Sequence, residues 1–432
     1  MDTKKIAVSF FAVAAIVAGC SSSASPSPTA TQAPTATPAP ATSAPASESA
    51  MASASASASA AGLTPASFTA DFSAMAQLKA IHDAGSGSIG FIMPDTTSST
   101  RWVTFDAPYL KQALLAAGYS ASDFKIDNAQ GVDATELSLA QADITNGAKV
   151  LVMAPIDSTV GNQIQAYAAS HGVAMISYDR ATFQGTNTYY VSFDNVQVGK
   201  LIGQGFMDCV TAWNVASPKV FTLDGGQDTD PNAIDFAKGY NSVVWGQSVA
   251  QVKPGTTNSA GMTSVNEVLT PGWDNAKGGT IFSQQFTAHP EINATIEAND
   301  GLGNAVVNDL KGAGVPAKKI PTTGQDATLQ GMENILQGYQ CGSVYKPIYL
   351  EAQDAVAVAT YLRAGQTPPT SLMNGQTTDP KNPATTEPAS LLTPLWVTAA
   401  NMEATVIKDN FVKASDLCAA VGASVCTTAG IS

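Results

Sequence analysis

Short apolar runs that break off in polar residues recur along most of the chain, and each is followed by a segment with helical spacing. The first series is GSIGFIMP (87–94), FKIDNAQ (124–130), KVLVMAP (149–155), VAMISYD (173–179) and YYVSFD (189–194). A second follows: KVFTLDG (219–225), VAQVKPG (249–255), ATIEAN (294–299) and KIPTTGQD (319–326). Between runs the period changes. Leu137, Ala140 and Ile144 fall at i, i+3 and i+7, and Gly147 supplies a helix stop. Continuous apolar strands alternating with helices predict parallel sheets covered on both faces. Two such series predict an α/β chain with two doubly wound parallel-sheet lobes.

In open parallel sheets, ligands sit outside the carboxyl ends of the strands. The residues that follow the runs are therefore where function is expected: Asp95, Asn128, Asp157, Asp179, Arg180, Asp194, Asn195, Asp224, Trp273, Asn299, Asp300, Asp326 and Lys346. Asp and Asn are common in turns and at helix N-caps, so each of them alone reads as structural. The set is informative for containing no histidine and for adding cations and indole rings. After the first run, MPDTTSSTRW (93–102) presents five consecutive Ser/Thr residues and then Arg101 and Trp102. A planar cation beside a large flat ring on a surface loop suits a small polar ligand with one flat apolar face.

The N-terminus changes the picture of where the chain works. Lys4 and Lys5 precede an apolar stretch, Ile6 to Val17, too short to span a bilayer, which ends in Val17-Ala18-Gly19-Cys20. Residues 1–19 thus read as a lipoprotein signal peptide and Cys20 as the lipidated residue. Residues 20–62 are almost all Ala, Ser, Pro and Thr and cannot bury a core, so they read as a disordered tether. At about 3.1 Å per extended residue it holds a domain on the order of 100 Å from a membrane. Residues 63–86 read as a helical lead-in. Four further cysteines, Cys209, Cys341, Cys418 and Cys426, are an even number and point to disulfides outside the cytoplasm. Their connectivity is open: Cys418 and Cys426 would close a short loop, and Cys209 and Cys341 are the more distant pair. The net charge of −13 repels nucleic acid and anionic lipid and favours a neutral ligand.

Other chemistries find no support. GSGSIG (85–90) has the dinucleotide spacing but precedes a strand instead of following one. Gly199-Lys200 is followed by Leu201 and makes no phosphate loop. Asp228, Asp230 and Asn232 alternate as in a calcium loop, but Ala233 and Gly239 stand where glycine and glutamate are needed. His82, His171 and His289 are isolated, and no nucleophile-elbow sequence occurs. No cofactor, metal or catalytic residue is expected.

The strings MPDTTSSTRW, NAQ (128–130), KVLVMAPID, ISYDR, YYVSFDNVQVG, GGQDTDPNA, GWD (272–274), EAND, TGQDA and VYKP occur in an order that resembles the sugar-binding proteins of ABC transporters with the type I periplasmic fold, especially the xylose-binding branch. The resemblance covers about residues 87–426. It implies two lobes joined by a three-strand hinge, one from 87–194 plus 348–385 and the other from 195–347 plus 386–432. It implies a monosaccharide ligand, an aldopentose or aldohexose pyranose, held by Asp95, Arg101, Trp102, Asp179, Arg180, Asn232, Trp273, Asn299, Asp326 and Lys346. The indoles face the sugar's C–H faces, the planar polar groups pair with its hydroxyls, and Asp179 positions Arg180. It further implies a monomer that closes on its ligand and delivers it to an ABC permease with a separate ATPase. The chain departs from the pattern in having only Ser/Thr between Asp95 and Arg101, which leaves the identity of the sugar open. Presentation of sugar to a chemoreceptor or sensor kinase is the rival reading. A secreted glycan-active enzyme and a sugar-responsive repressor are more remote.

Overall fold

The computed structural model describes residues 62–99, 101–184 and 187–432. They lie in one compact unit. The expected signal peptide, Cys20 and nearly all of the tether fall outside the described residues. Among the described residues no helix is long and apolar enough to cross a membrane.

The first lobe is built on a seven-stranded sheet. Its strands are β1 (Ser88–Met93), β2 (Phe124–Asn128), β3 (Ala148–Met153), β4 (Ala174–Tyr178), β5 (Thr188–Phe193), β10 (Gly375–Thr378) and β11 (Thr386–Leu392). They run in the order β10-β11-β5-β4-β3-β1-β2, parallel except for the β10–β11 hairpin. Alternate residues serve opposite faces. Ile89, Phe91, Val150 and Val152 pack on one side, with the helix Ile348–Arg363 and the lead-in residues Leu63, Phe68 and Met75. Ile92, Leu151 and Met153 pack on the other, with the helices Asp133–Thr145 and Ser158–Ser170. Burial on both faces is why these strands read as unbroken apolar runs.

The second lobe centres on a parallel three-stranded sheet, ordered β7 (Thr263–Thr270), β6 (Lys219–Gly225), β8 (Ala294–Glu297). Two expected strands are corrected here. Residues 249–255 are a loop, in which the Val252 amide donates to the Glu267 carboxylate. The strand at this edge is β7, which forms its ladder with β6 and bonds the 255–257 loop on its other flank. Polar residues give it an interrupted pattern instead of an apolar run. Residues 319–326 approach β8 without forming a ladder, because side chains take the strand's place. Thr323 N donates to Glu297 Oε2 at 2.7 Å, and Glu297 N donates to Thr323 Oγ1 at 2.8 Å.

The chain passes between lobes after β5, after β9 (Ser343–Tyr345), and again ahead of β12 (Leu395–Val397). The resemblance implies the last passage at 386. It lies beyond Leu392, because β11 pairs with β5 from Ala389–Tyr190 to Leu392–Phe193. The disulfides are Cys209–Cys341, with Cα atoms 5.8 Å apart, and Cys418–Cys426 at 5.7 Å.

Candidate functional site

Nine of the expected ligand residues line a single cavity of about 370 Å³ between the lobes: Arg101, Trp102, Asp179, Arg180, Asn232, Trp273, Asn299, Asp326 and Lys346. Asp95 is not in the wall. Its carboxylate accepts from Thr97 N, Ser98 N and Ser98 Oγ at 2.6–2.7 Å, so it folds the Ser/Thr loop beside the site.

Arg101 and Trp102 do not ride on the loop. They open a helical stretch that runs through Trp102–Asp106 into Ala107–Ala116, and both are buried. Arg101 is gripped by three carboxylates. Nε and Nη2 donate to Asp106 at 2.9 and 2.7 Å, Nη1 to Asp179 at 2.6 Å, and Nη2 also to Glu351 at 2.6 Å. Guanidinium has five N–H groups, so a single N–H on Nη1 is left for a ligand. The Trp102 ring is flanked by the guanidinium carbons of Arg101 at 4.6 Å and Arg180 at 5.3 Å, and its Nε1 donates to Ser98 Oγ at 3.2 Å. Trp102 therefore orients two cations as well as bounding the cavity.

Asp179 does not position Arg180, as the sequence suggested. It bonds Arg101, and it faces Lys346 Nζ at 3.4 Å. Burial alone would raise its pKa, but Arg101 and Lys346 hold it down at about 2. Arg180 instead donates through Nη1 to the carbonyls of Pro155 and Ile156, at 3.0 and 3.3 Å, which leaves Nε and Nη2 for the cavity. Asn232 reaches across the cleft. Its Nδ2 donates to the Asp179 carbonyl at 2.9 Å while its Oδ1 accepts from Asn195 Nδ2 at 3.0 Å. Lys346 also faces Asp326, at 3.5 Å. The lobes thus touch directly through Asp179, Asn232 and Lys346, which is a closed arrangement.

Trp273 is the flattest wall on the second-lobe side. Its Nε1 donates to Asp230 Oδ2 at 2.8 Å, and Phe236 meets it edge-on at 6.2 Å. The benzo ring lies on Gly225, where any Cβ would collide with it. Asn299 caps the helix Asp300–Gly312 by accepting from Leu302 N at 2.9 Å, so the cap is Asn299 and not its neighbour Asp300. The Asn299 amide nitrogen remains for the cavity. Asp300 is a buried first-turn residue that accepts from Thr328 N, Gln340 Nε2 and Ser343 Oγ.

Three wall residues sit in the left-handed backbone region without being glycine: Asp179 at φ 62°, Trp273 at φ 56° and Asp326 at φ 87°. Such conformations cost about 1–3 kcal/mol and cluster where a side chain must be aimed.

Sequence reasoning missed Asp106 and Glu351, which lie on helices away from any strand end. It also missed Phe236 and Gln325, which share the wall. Gln325 Oε1 is buried with no partner among the described residues. Burial lifts the Glu351 carboxyl to about 8 against the pull of Arg101, so it is largely protonated at pH 6. Glu351→Gln then changes the sugar's dissociation constant at pH 6 by less than about threefold, whereas Glu351→Ala weakens binding by about tenfold or more. Calorimetric titration of both variants checks this, and equal losses would contradict it.

The profile of the periplasmic binding protein domain matches residues 89–367. The D-xylose-binding periplasmic protein of Escherichia coli K12 is 32% identical over 295 residues, 68% of this chain and 82% of that protein. The multiple sugar-binding periplasmic receptor ChvE of Rhizobium radiobacter is 31% identical over 353 residues, 77% of this chain and 93% of that one. A carbohydrate transporter solute-binding protein of Chloroflexus aurantiacus, solved with D-glucose, superposes with a TM-score of 0.64 at 25% identity, covering 76% of this chain and 98% of its own.

Proposed function

The chain belongs to the periplasmic binding protein domain family, and from that premise we propose that it captures a monosaccharide outside the cytoplasm and delivers it to an ABC permease. The observation that carries this reading is the convergence of two indoles and seven polar side chains from both lobes on one cavity. A pyranose has apolar C–H faces, which suit indole rings, and hydroxyls that both donate and accept. Arg101, Arg180, Asn232, Asn299, Asp326 and Lys346 supply complementary donors and acceptors in fixed positions. A sugar lacking one of the matched hydroxyls leaves such a buried group unpaired and is rejected.

No chemical step is involved. The mechanism is closure: ligand contacts made with both lobes at once favour the closed state, which the permease then engages. The energy for transport comes from the partner ATPase. Deleting the gene should abolish uptake of the sugar that the purified protein binds. Intact uptake together with lost chemotaxis toward that sugar would favour the sensing role instead.

The protein acts as a monomer anchored by lipid on Cys20, on the strength of the lipobox-like sequence and the low-complexity tether. Cys20→Ser should move it from the membrane fraction to the soluble fraction on cell fractionation. Retention in the membrane would refute the anchor.

A further inference from the structure

We propose that the cleft carries an outer subsite for a second hydroxylated unit, so that a disaccharide or glycoside is bound as well as a single ring. This rests on the sugar-binding reading of the central cavity. Beside the central cavity lies a second chamber, and Ser98, Ser99, Asn299 and Asp326 belong to both walls. A substituent on a sugar in the central cavity would reach the chamber past these four shared residues.

The chamber's chemistry fits hydroxyls and little else. Beyond the shared wall it presents the side-chain amides of Asn275, Asn304 and Gln330, each a planar group with a donor and an acceptor side by side. No lysine or arginine lines it, and Asp326 repels an anion. Asn275 Oδ1 is buried with no hydrogen-bond partner among the described residues. A buried acceptor left empty is costly, and turning the Asn275 amide from Gly301 toward the chamber would let a ligand hydroxyl satisfy it. Gly301 opposite leaves the room that Asn275 occupies, since a Cβ there would collide with Oδ1. Asn304 has its oxygen filled by Asn334 Nδ2 at 2.8 Å, so its amide nitrogen is the free donor.

The test compares, on the full-length protein, D-glucose with cellobiose and maltose, and D-xylose with xylobiose, by calorimetric titration. The expected result is at least one disaccharide with a dissociation constant within tenfold of its monosaccharide's. Asn275→Ala should weaken that disaccharide by about five- to tenfold and change the monosaccharide by less than twofold. The triple variant Asn275→Ala, Asn304→Ala, Gln330→Ala serves as the second reading, with a larger loss confined to the disaccharide. Monosaccharide binding with every disaccharide more than tenfold weaker would overturn the outer subsite alone. So would a disaccharide whose affinity the triple variant leaves unchanged, or equal losses for both ligands. Absence of binding by all five sugars would overturn the subsite, and would overturn the sugar-binding reading too if D-galactose, L-arabinose, D-ribose and myo-inositol also fail to bind.

Discussion

Trp273→Ala should lower affinity for the bound sugar by on the order of 100-fold, about 2–3 kcal/mol. The ring is one of two indole faces, with Trp102 the other, in a wall made mostly of charged, amide and hydroxyl groups. It is held rigidly by Gly225 beneath, by Asp230 at its nitrogen and by a left-handed backbone. Nothing nearby can replace it, because Phe236 meets it edge-on rather than lying parallel behind it. The same burial means the variant is also less stable. Removing a buried indole costs about 3–5 kcal/mol, which for a domain of this size lowers the melting midpoint by only several degrees. Titration calorimetry and a melting curve on the same sample separate the two effects. Gly225→Val should reproduce the affinity loss by displacing the ring. A Trp273→Ala variant that melts lower but binds as tightly as the parent would remove Trp273 from the site.

The second large effect is on stability against pH. Burial raises the carboxyls of Glu136, Glu297 and Glu351 to about 8, those of Glu267, Asp300, Asp354 and Glu387 to about 7, and that of Asp143 to about 6. Unfolded, these groups titrate near 4, at the ordinary carboxylate value of about 4. Between about pH 4 and 8 the folded state therefore binds more protons than the unfolded state, so stability falls as pH rises. Asp179 works in the opposite direction, but only in acid: held at about 2, it loses its contribution as pH falls from about 4 toward 2. The stability maximum is thus expected near pH 4–5. The melting midpoint should fall between pH 5 and pH 8. Glu297→Gln and Glu136→Gln, which keep the shape and remove the titration, should flatten that slope. A midpoint that is level or rising from pH 5 to pH 8 would contradict this account.

The parts of this architecture that are legible in the sequence have one physical origin. A parallel strand covered on both faces must be apolar throughout, so β1, β3, β4 and β6 announce themselves. The polar residues that end them must lie at one edge of the sheet. That is why Arg101, Asp179, Asn299 and Lys346, far apart in the chain, can be grouped from the sequence alone. The edge strand β7 is obscured because polar residues break its apolar pattern: Ser264 and Glu267 are buried, with Glu267 accepting from Asn241 Nδ2 and Val252 N, and Asn266 is half-buried. The segment 319–326 looks like a strand because its composition is right, yet Thr323 and Glu297 divert its hydrogen bonds to side chains. Asp106 and Glu351 are invisible for a different reason. Their role is to hold the Arg101 guanidinium by hydrogen bonds: Asp106 does so from five residues along the same helical stretch, and Glu351 only once the helix Ile348–Arg363 packs against the first sheet. The division of labour between Asp179 and Arg180 is likewise hidden, since adjacent residues in sequence point to different partners in space.

A thermal-shift screen of the full-length protein with D-xylose, D-glucose, D-galactose, L-arabinose, D-ribose and myo-inositol tests the central claim most directly. A ligand present at 100 times its dissociation constant adds about 2.7 kcal/mol to the folded state. The account predicts a raised midpoint with one or two of these compounds and none with the rest. An unchanged midpoint with all six would contradict a cleft built for a monosaccharide.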